Sequence, residues 1–314
     1  MLGMTLVGVA TSPIIVVALV ARDLAKRRFR LPTVRAALFV LQYAINDSIE
    51  IALAPMYWAV AGFGTRLHDP ASIRRHERLQ LWSLDVLARR AERLLGLRFE
   101  MDDVALAALG PGPVIVVCRH VSIIDASLPA LVYQRIGYRT IGVIMAELLA
   151  DPGFDLIYGR TGSVFIGRDD GVEAREAVAA LGRAVDARTA VVIFPEGRLF
   201  RLDRLAKTSA RIATENAQRA HRLASLTRVL PPRPGGLLAL LDAIPAADVV
   251  VIAHAGLDRF PTFAMLARAA PLSAPVRVTA WRVPACDIPT SVEDRIRWLD
   301  EQWLRVDHWV GVNS

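Results

Sequence analysis

Hydrophobic residues are concentrated at the start of the chain, where the first apolar segment is uninterrupted. Residues 1–21 contain no charged side chain, and a helix needs about 20 apolar residues to cross the hydrocarbon core of a bilayer. Basic residues follow this segment, in RDLAKRRFRLPTVR (22–35), whereas a cleaved signal peptide carries them before its apolar run. Residues 1–21 are therefore predicted to span a membrane, with the basic run on the cytoplasmic side.

The second apolar segment, residues 36–63, is interrupted by polar side chains at helical spacing. Gln42, Asn46 and Glu50 recur every four residues, so a helix would carry one polar stripe. A charge in mid-bilayer is costly, and Pro55 is expected to end the helix. We expect this segment to lie in the membrane interface or to pack on another helix, which keeps the rest of the chain cytoplasmic. Two alternatives stay open: a second membrane span, which would place the rest of the chain on the opposite side from the basic run, and a buried helical hairpin in a soluble protein.

The remaining chain alternates short apolar runs with amphipathic stretches. Residues 66–100 mix basic and apolar positions at helical spacing, as in an amphipathic helix along a charged membrane. Beyond this, apolar strands alternate with helical patterns, which is typical of a sheet covered on both faces. The predicted fold is α/β, with a mostly parallel or mixed sheet flanked by helices after an N-terminal membrane-associated helical hairpin. The predicted domains are membrane-anchoring helices (1–65), a connecting helix (66–112) and an α/β domain with a C-terminal helix (113–314).

The charge balance narrows the class of partner. The 314 residues carry a formal net charge of +7, and the sequence pI is about 10.1, which indicates nucleic acid, a lipid surface or a phosphorylated substrate. Nucleic acid is not expected, because no helix-turn-helix, zinc-finger or aromatic-stacking pattern accompanies the charge. Cys118 and Cys286 are too few for a disulfide framework and lie in apolar runs, so they are predicted to be buried free thiols. No metal-ligand spacing is present.

Candidate chemistry first occurs after the strand VIVVC (114–118), where His120 and Asp125 are five residues apart. Five residues place two side chains about 140° apart on a helix and on opposite faces of a strand, so they can meet only where the chain turns. Open α/β sheets bind ligands at the carboxyl ends of their strands. A His–Asp contact there would make His120 a general base. Taken alone, Asp125 could instead cap the following helix.

Three further blocks place charged residues at strand ends or in turns. They are GSVFIGR (162–168), which ends on Arg168; FPEGR (194–198), with Glu196, Gly197 and Arg198; and VLPPRPGG (229–236), with Arg233. Arginine is suited to bidentate contacts with phosphate. In order and spacing, the four blocks resemble the glycerophospholipid acyltransferase family, the lysophosphatidic acid acyltransferases, over residues 113–255. The last block is similar to the longer, eukaryote-type branch.

This resemblance implies transfer of a fatty acyl group from a thioester of CoA or acyl carrier protein to lysophosphatidic acid, giving phosphatidic acid. It implies that His120 removes the hydroxyl proton, that Asp125 holds the imidazole, and that Arg168 and the FPEGR turn bind the acceptor's phosphate. A thiolate leaves readily, so Ser122 is expected to be a supporting hydroxyl near the substrate rather than a nucleophile.

The same resemblance sets the expected partners and location. Acyl-CoA, lysophospholipid and membrane lipids are the expected partners, and no cofactor is expected beyond the acyl donor. No protein partner is indicated. The catalytic domain is expected on the cytoplasmic face of the cell membrane.

The sequence departs from the family pattern at two places. Arg119 stands where the family usually has Asn. The family usually continues Phe-Pro-Glu-Gly with Thr-Arg, whereas this chain has Arg198 and Leu199. The phosphate contact from this loop could therefore come from Arg198 or from Arg201, and both alternatives stay open. Arg233 is a weaker phosphate candidate.

Two other features receive secondary assignments. A helix predicted over 201–220 places four basic residues on one face, where they could contact CoA phosphates or the lipid surface or be merely solvated: Arg201, Arg204, Lys207 and Arg211. His254 ends a predicted strand and is expected to be structural.

Other functions fit parts of the pattern. A membrane esterase would use Ser122 as its nucleophile, but the chain lacks the Gly-x-Ser-x-Gly elbow. A non-catalytic lipid-binding protein could keep the same fold. Within the family, the acceptor could be another lysophospholipid or a glycolipid, because the sequence provides no measure of the acceptor pocket.

Overall fold

The computed structural model of the chain describes residues 2–167, 171–183 and 185–314. Its contacts divide the chain into two compact units, each assembled from three segments. The first unit comprises Met1–Arg98, Ile144–Phe165 and Thr262–Pro275. The second unit comprises Phe99–Val143, Ile166–Pro261 and Val276–Ser314.

Two long helices begin the first unit and form the expected hairpin. Helix α1 covers Leu2–Ala25 and α2 covers Pro32–Val60, and the Ser48 hydroxyl of α2 donates a 2.7 Å hydrogen bond to that of Thr5 on α1. At 1.5 Å per residue α1 is about 36 Å long, against about 30 Å of hydrocarbon in a bilayer. Both helices are therefore long and apolar enough to cross a membrane, and the apolar side chains of α1 are largely exposed.

The polar stripe of α2 faces protein. Asn46 and Glu50 are buried. The Asn46 side chain donates hydrogen bonds of 3.2 Å to the carbonyl and the hydroxyl of Ser83, which lies on α3 (Pro70–Arg90). The second apolar segment thus packs on another helix, which is one of the two arrangements expected for it.

The expectation that Pro55 ends the second helix is wrong, because α2 continues through it to Val60. A proline inside a helix removes one backbone hydrogen bond and crowds the carbonyl four residues earlier. By staying helical, the residues after Pro55 keep their own backbone hydrogen bonds within the helix, which an apolar segment favours because few other partners are available there.

Within the described residues, seven strands form one sheet, and the sheet is mixed, which is one of the two predicted arrangements. They are β1 Phe99–Met101, β2 Val114–Cys118, β3 Arg139–Met145, β4 Val164–Ile166, β5 Thr189–Ile193, β6 Asp248–Ala255 and β7 Val276–Val283. Their order in the sheet is β1-β7-β6-β2-β5-β3-β4. The pairs β1–β7, β2–β5, β2–β6 and β3–β5 are parallel, whereas β6 and β7 are antiparallel.

The remaining helices lie between or after these strands along the chain. They are α4 Asp103–Ala108, α5 Ser127–Arg135, α6 Pro152–Phe154, α7 Gly171–Arg183, α8 Leu202–Glu215, α9 Ala217–Arg222, α10 Pro234–Ala243, α11 Phe263–Ala269 and α12 Val292–Asn313. Of these, α6 and α11 belong to the first unit.

The centre of the sheet is a continuous apolar core. Val116 of β2 is paired with Val192 of β5 on one side and with Val250 of β6 on the other, and every residue of β2 is buried. Such unbroken apolar strands are typical of a sheet covered on both faces. Because β2 ends at Cys118, the following residues leave the core at the carboxyl end of a central strand, where open α/β sheets bind ligands.

Several local expectations are wrong. The helix predicted over 201–220 is two helices, because the Asn216 side chain accepts a 2.9 Å hydrogen bond from the Arg219 N–H and starts α9. The Pro/Gly-rich block 229–236 is not all loop, because its Pro234 begins α10, where a missing N–H costs nothing. Cys286 is exposed rather than buried, because it lies in a turn after β7.

Candidate active site

The turn between β2 and α5 brings His120 and Asp125 together. Nδ1 of His120 lies 2.6 Å from Oδ1 of Asp125. The Asp125 carboxylate is fully buried, whereas the His120 side chain keeps 21% of its surface exposed. One edge of the imidazole is thus fixed by a buried carboxylate, while the ring remains accessible to a substrate.

Backbone groups hold the Asp125 carboxylate in place. Its Oδ2 accepts hydrogen bonds from the N–H groups of Val121 (2.6 Å) and Ser122 (2.8 Å). Burial alone would raise the pKa of Asp125, but its contacts with His120 and His254 outweigh burial and lower that pKa below its ordinary value. Asp125 is therefore ionised at neutral pH, and it can stabilise a positive charge on His120.

Ser122 lies inside the turn with its hydroxyl already bonded. The hydroxyl donates a 2.7 Å hydrogen bond to the Phe260 carbonyl, and the residue has no exposed surface. This position fits a supporting hydroxyl that fixes the turn. It does not present an oxygen to a substrate.

The FPEGR turn and the residues just after it are hydrogen-bonded to the backbone of His120. The His120 N–H donates a 2.9 Å hydrogen bond to Oε1 of Glu196, and the His120 carbonyl accepts a 2.8 Å hydrogen bond from the Phe200 N–H. The His120 and Phe194 rings also pack with their centroids 4.6 Å apart. The first and third blocks of the sequence are therefore parts of one site.

Glu196 also joins the fourth block to this site. Its Oε2 accepts a 2.8 Å hydrogen bond from the Leu230 N–H. Glu196 is buried, and this burial raises its pKa to about 7, although the hydrogen bonds from Leu230 and His120 favour the ionised form. Glu196 thus ties two loops together from a buried position, and this geometry does not fit the phosphate contact expected of it.

Gly197 allows an arginine of the fourth block to approach the turn. It has a φ of 65°, which glycine adopts without the strain that a side chain would cause. A Cβ added there would lie 3.3 Å from Cδ of Arg233, and the Arg233 N–H donates a 2.7 Å hydrogen bond to the Pro195 carbonyl. The two blocks therefore pack against each other at this glycine.

The charges of two other guanidinium groups act on Arg233 beside this turn. Partial burial and the positive charges of Arg198 and Arg211 lower the pKa of Arg233. Among the described residues, neither Arg198 nor Arg233 has a carboxylate partner, whereas Arg211 pairs with Glu215 at 3.1 Å. A local excess of positive charge of this kind suits an anion.

Two other basic residues that follow this turn, Arg201 and Arg204, are bonded to groups within the chain. Arg201 is paired with Asp203 at 2.8 Å, and both side chains are more than half exposed. Arg204 donates a 2.9 Å hydrogen bond to the Leu199 carbonyl at the start of α8. The second block forms β4 (Val164–Ile166), but its Arg168 lies outside the described residues.

Sequence reasoning missed two buried groups of this site. His254 of β6, which was expected to be structural, has its Nε2 3.3 Å from Oδ2 of Asp125. Arg119 is fully buried and forms an ion pair with Asp258, and it also donates to the carbonyls of His254 (2.9 Å) and Arg228 (2.8 Å). The departure from Asn at position 119 was the one available signal for this ion pair. No pattern in the sequence pointed to His254.

Comparison with known proteins gives three further findings. Residues 102–268 match the family model described as acyltransferase, and this range contains all four sequence blocks. No curated protein matches the chain by sequence. Among solved structures, the chain is similar to the crystal structure of the 1-acyl-sn-glycerophosphate (LPA) acyltransferase PlsC from Thermotoga maritima, with a TM-score of 0.53 and 15% sequence identity. The similarity covers 88% of this chain and 97% of PlsC, and at this identity it shows a shared fold.

Proposed function

The chain belongs to the acyltransferase family, and from this premise we propose that it acylates lysophosphatidic acid to phosphatidic acid, with acyl-CoA or acyl carrier protein as donor. The observation that carries the proposal is the 2.6 Å contact between His120 and the buried carboxylate of Asp125, in a turn bonded to the FPEGR block. The acceptor is suggested by the sequence resemblance and by the activity for which PlsC is named.

In the proposed mechanism His120 is the general base. Its Nδ1 faces Asp125, so Nε2 takes the proton of the acceptor's hydroxyl as the oxygen attacks the thioester carbonyl. The C–S bond then breaks, and the thiolate leaves with the electron pair and receives the proton back from His120. Asp125, ionised and held by the backbone, stabilises the imidazolium between these two proton transfers.

Direct transfer is favoured over an acyl-enzyme. The Ser122 hydroxyl is buried and donates to the Phe260 carbonyl, so it is in no position to attack a thioester. This observation argues against the membrane esterase as the alternative class. Trapping an acyl group on Ser122 would reverse that conclusion.

For the acceptor's phosphate we propose Arg198 and Arg233. Both lie at the FPEGR turn, both lack a carboxylate partner among the described residues, and Arg233 is affected by the charge of Arg198. A phosphate would neutralise this excess charge through charge-assisted hydrogen bonds. Of the two arginines that the sequence left open, Arg201 is the poorer candidate, because Asp203 already holds its guanidinium.

An acyl-transfer assay on the membrane fraction tests the proposal. It should combine acyl-CoA donors of several chain lengths, and acyl carrier protein, with a panel of acceptors: lysophosphatidic acid, lysophospholipids with headgroups, and a glycolipid. We expect lysophosphatidic acid to be the preferred acceptor. His120→Ala and Asp125→Asn should each lower the rate at least ~100-fold, because general base catalysis contributes about 10²–10⁴-fold.

The outcomes separate the alternatives. Preference for another acceptor would mean that the enzyme acylates a different substrate, although it belongs to the same family. Wild-type transfer that His120→Ala leaves unchanged would exclude the proposed base. No transfer to any acceptor would favour a non-catalytic lipid-binding protein.

A further inference from the structure

The buried Asp125 carboxylate contacts two histidines. Its Oδ1 faces Nδ1 of His120, and Nε2 of His254 lies 3.3 Å from its Oδ2. His254 comes from β6, 135 residues after Arg119 in the chain, and has no exposed surface. None of the four sequence blocks contains this second histidine.

The surroundings of His254 determine which of its nitrogens carries the proton. Its Nε2 faces two acceptors, Oδ2 of Asp125 at 3.3 Å and the Arg119 carbonyl at 3.2 Å. Its Nδ1 is buried and has no hydrogen-bond partner among the described residues. A proton on Nδ1 would leave a buried donor unsatisfied, and Nε2 without a proton would face two acceptors. In its neutral form the imidazole therefore carries its proton on Nε2, which faces the two oxygens.

We infer that His254 is a positioning residue, which holds the Asp125 oxygen that His120 does not contact and so aims the other carboxylate oxygen at the catalytic imidazole. This inference rests on the proposed function, because it assigns His254 a part in the same proton transfer. The backbone N–H groups of Val121 and Ser122 bind Oδ2 from within the turn. His254 contributes the contact that comes from a neighbouring strand of the sheet.

Arg119 fixes His254 in turn. The Arg119 guanidinium donates a 2.9 Å hydrogen bond to the His254 carbonyl, and the Arg119 carbonyl accepts from the His254 ring at 3.2 Å. Asp258 pairs with the same guanidinium. The histidine is therefore held at its backbone and at its ring by one residue of the catalytic turn. A histidine that merely filled core volume would not need this reciprocal arrangement.

Two nearly isosteric substitutions test the inference. His254→Gln keeps an N–H donor near the position of Nε2, whereas His254→Met fills a similar volume without a donor. We expect His254→Met to lower kcat about 10- to 100-fold with the acceptor KM within twofold, because small misplacements of a catalytic group have effects of this size. His254→Gln should keep kcat within about threefold. His221→Met, at an exposed histidine of α9, is the matched control and should leave both constants unchanged.

A double variant separates positioning from folding. If His254 acts through Asp125, then adding His254→Met to Asp125→Asn should lower kcat less than twofold further. A full additional loss, or equal kcat for His254→Gln and His254→Met, would overturn the inference. If His254→Met does not fold, His254→Asn replaces it, because its shorter amide falls short of Oδ2. In that case equal kcat for the Asn and Gln variants would overturn the inference.

Failure of the inference can be told apart from failure of the proposed function. Wild-type enzyme without acyl transfer to any acceptor would reject the proposed function. Wild-type activity that depends on His120 but is unchanged in His254→Met would reject only the positioning role.

Discussion

At the scale of single residues, a carboxylate five positions after a histidine becomes useful because the intervening chain turns. The N–H groups of Val121 and Ser122 bind Oδ2 of Asp125, which leaves Oδ1 for Nδ1 of His120. These contacts join residues that are close in sequence, so the motif itself determines the geometry within the turn. The contact with His254, which lies far away in the chain, also lowers the pKa of Asp125.

The proposed phosphate contacts lead to a prediction at this scale. Arg198→Ala and Arg233→Ala should each raise KM for lysophosphatidic acid about 10- to 100-fold with little change in kcat. The physical reason is that a hydrogen bond to a charged group contributes about 1.5–3 kcal/mol. Initial-rate kinetics at varied acceptor concentration measure this effect.

Arg201→Ala is the matched control for those two variants. Its guanidinium is exposed and paired with Asp203, so KM should change less than about threefold. An acceptor without a phosphate, such as a monoacylglycerol, should show no dependence on Arg198 or Arg233. A larger effect of Arg201→Ala than of Arg198→Ala would assign the phosphate to the other arginine.

At the scale of elements, α12 holds the chain that leads into the fourth block. Asp300 is fully buried and pairs with Arg219 at 2.8 Å and Arg222 at 2.9 Å, both on α9. Further along α12, Asp307 accepts hydrogen bonds from the N–H groups of Thr227 (2.9 Å) and Val229 (3.1 Å). These carboxylates bind guanidinium groups of α9 and backbone N–H groups of the irregular segment that follows it. They fix the path of the chain just before Leu230 reaches Glu196.

The network around Asp300 leads to a prediction at this scale. Asp300→Ala should lower the free energy of unfolding by about 3–5 kcal/mol, because removing one partner of a buried ion pair leaves the other charges uncompensated. Glu293→Ala is the control on the same helix, since Glu293 pairs with Arg297 at 3.6 Å with 85% of its side chain exposed. That control should change the free energy by less than about 0.5 kcal/mol. Thermal unfolding in detergent compares the two variants, and equal shifts would contradict the role of the network.

At the scale of the whole molecule, the first unit explains why the chain is so apolar. The side chains of α1 are largely exposed, and both α1 and α2 have the length and composition of helices that can cross a membrane. In the polar stripe of α2, Asn46 donates hydrogen bonds to Ser83 of α3. This polar group is therefore satisfied by protein and does not have to face lipid. We therefore propose that α1 attaches the chain to the membrane in which its lipid substrates are dissolved.

Membrane attachment through α1 predicts that alkaline carbonate washing leaves the full chain in the membrane pellet. Replacing Ile14 and Val17 together by Arg should release a large part of it, because each charge at mid-bilayer costs about 2.5–3.5 kcal/mol. Leu202→Arg is the control, since Leu202 is similarly exposed, at 72%, but lies on α8. Recovery of the wild-type chain in the supernatant would defeat the prediction.

The sequence by itself determined the features that depend on neighbours in the chain. Apolar runs and their spacing were enough for the α/β sheet and the two N-terminal helices, and the four blocks were enough for the family. Local errors came from side chains that compete with the simple pattern, as at Asn216, which starts a new helix, and at Pro55, which does not end one.

The tertiary structure decided which distant groups meet. Strand order alone places β6 beside β2 and thereby brings His254 to Asp125. The same packing brings Arg233 to Gly197 and pairs Arg119 with Asp258. Such contacts join positions tens to more than a hundred residues apart. No local periodicity in the sequence predicts them, because they form only when the sheet and its loops pack together. For this reason His120 and Asp125 could be predicted from their spacing, whereas the second histidine could be recognised only in the folded chain.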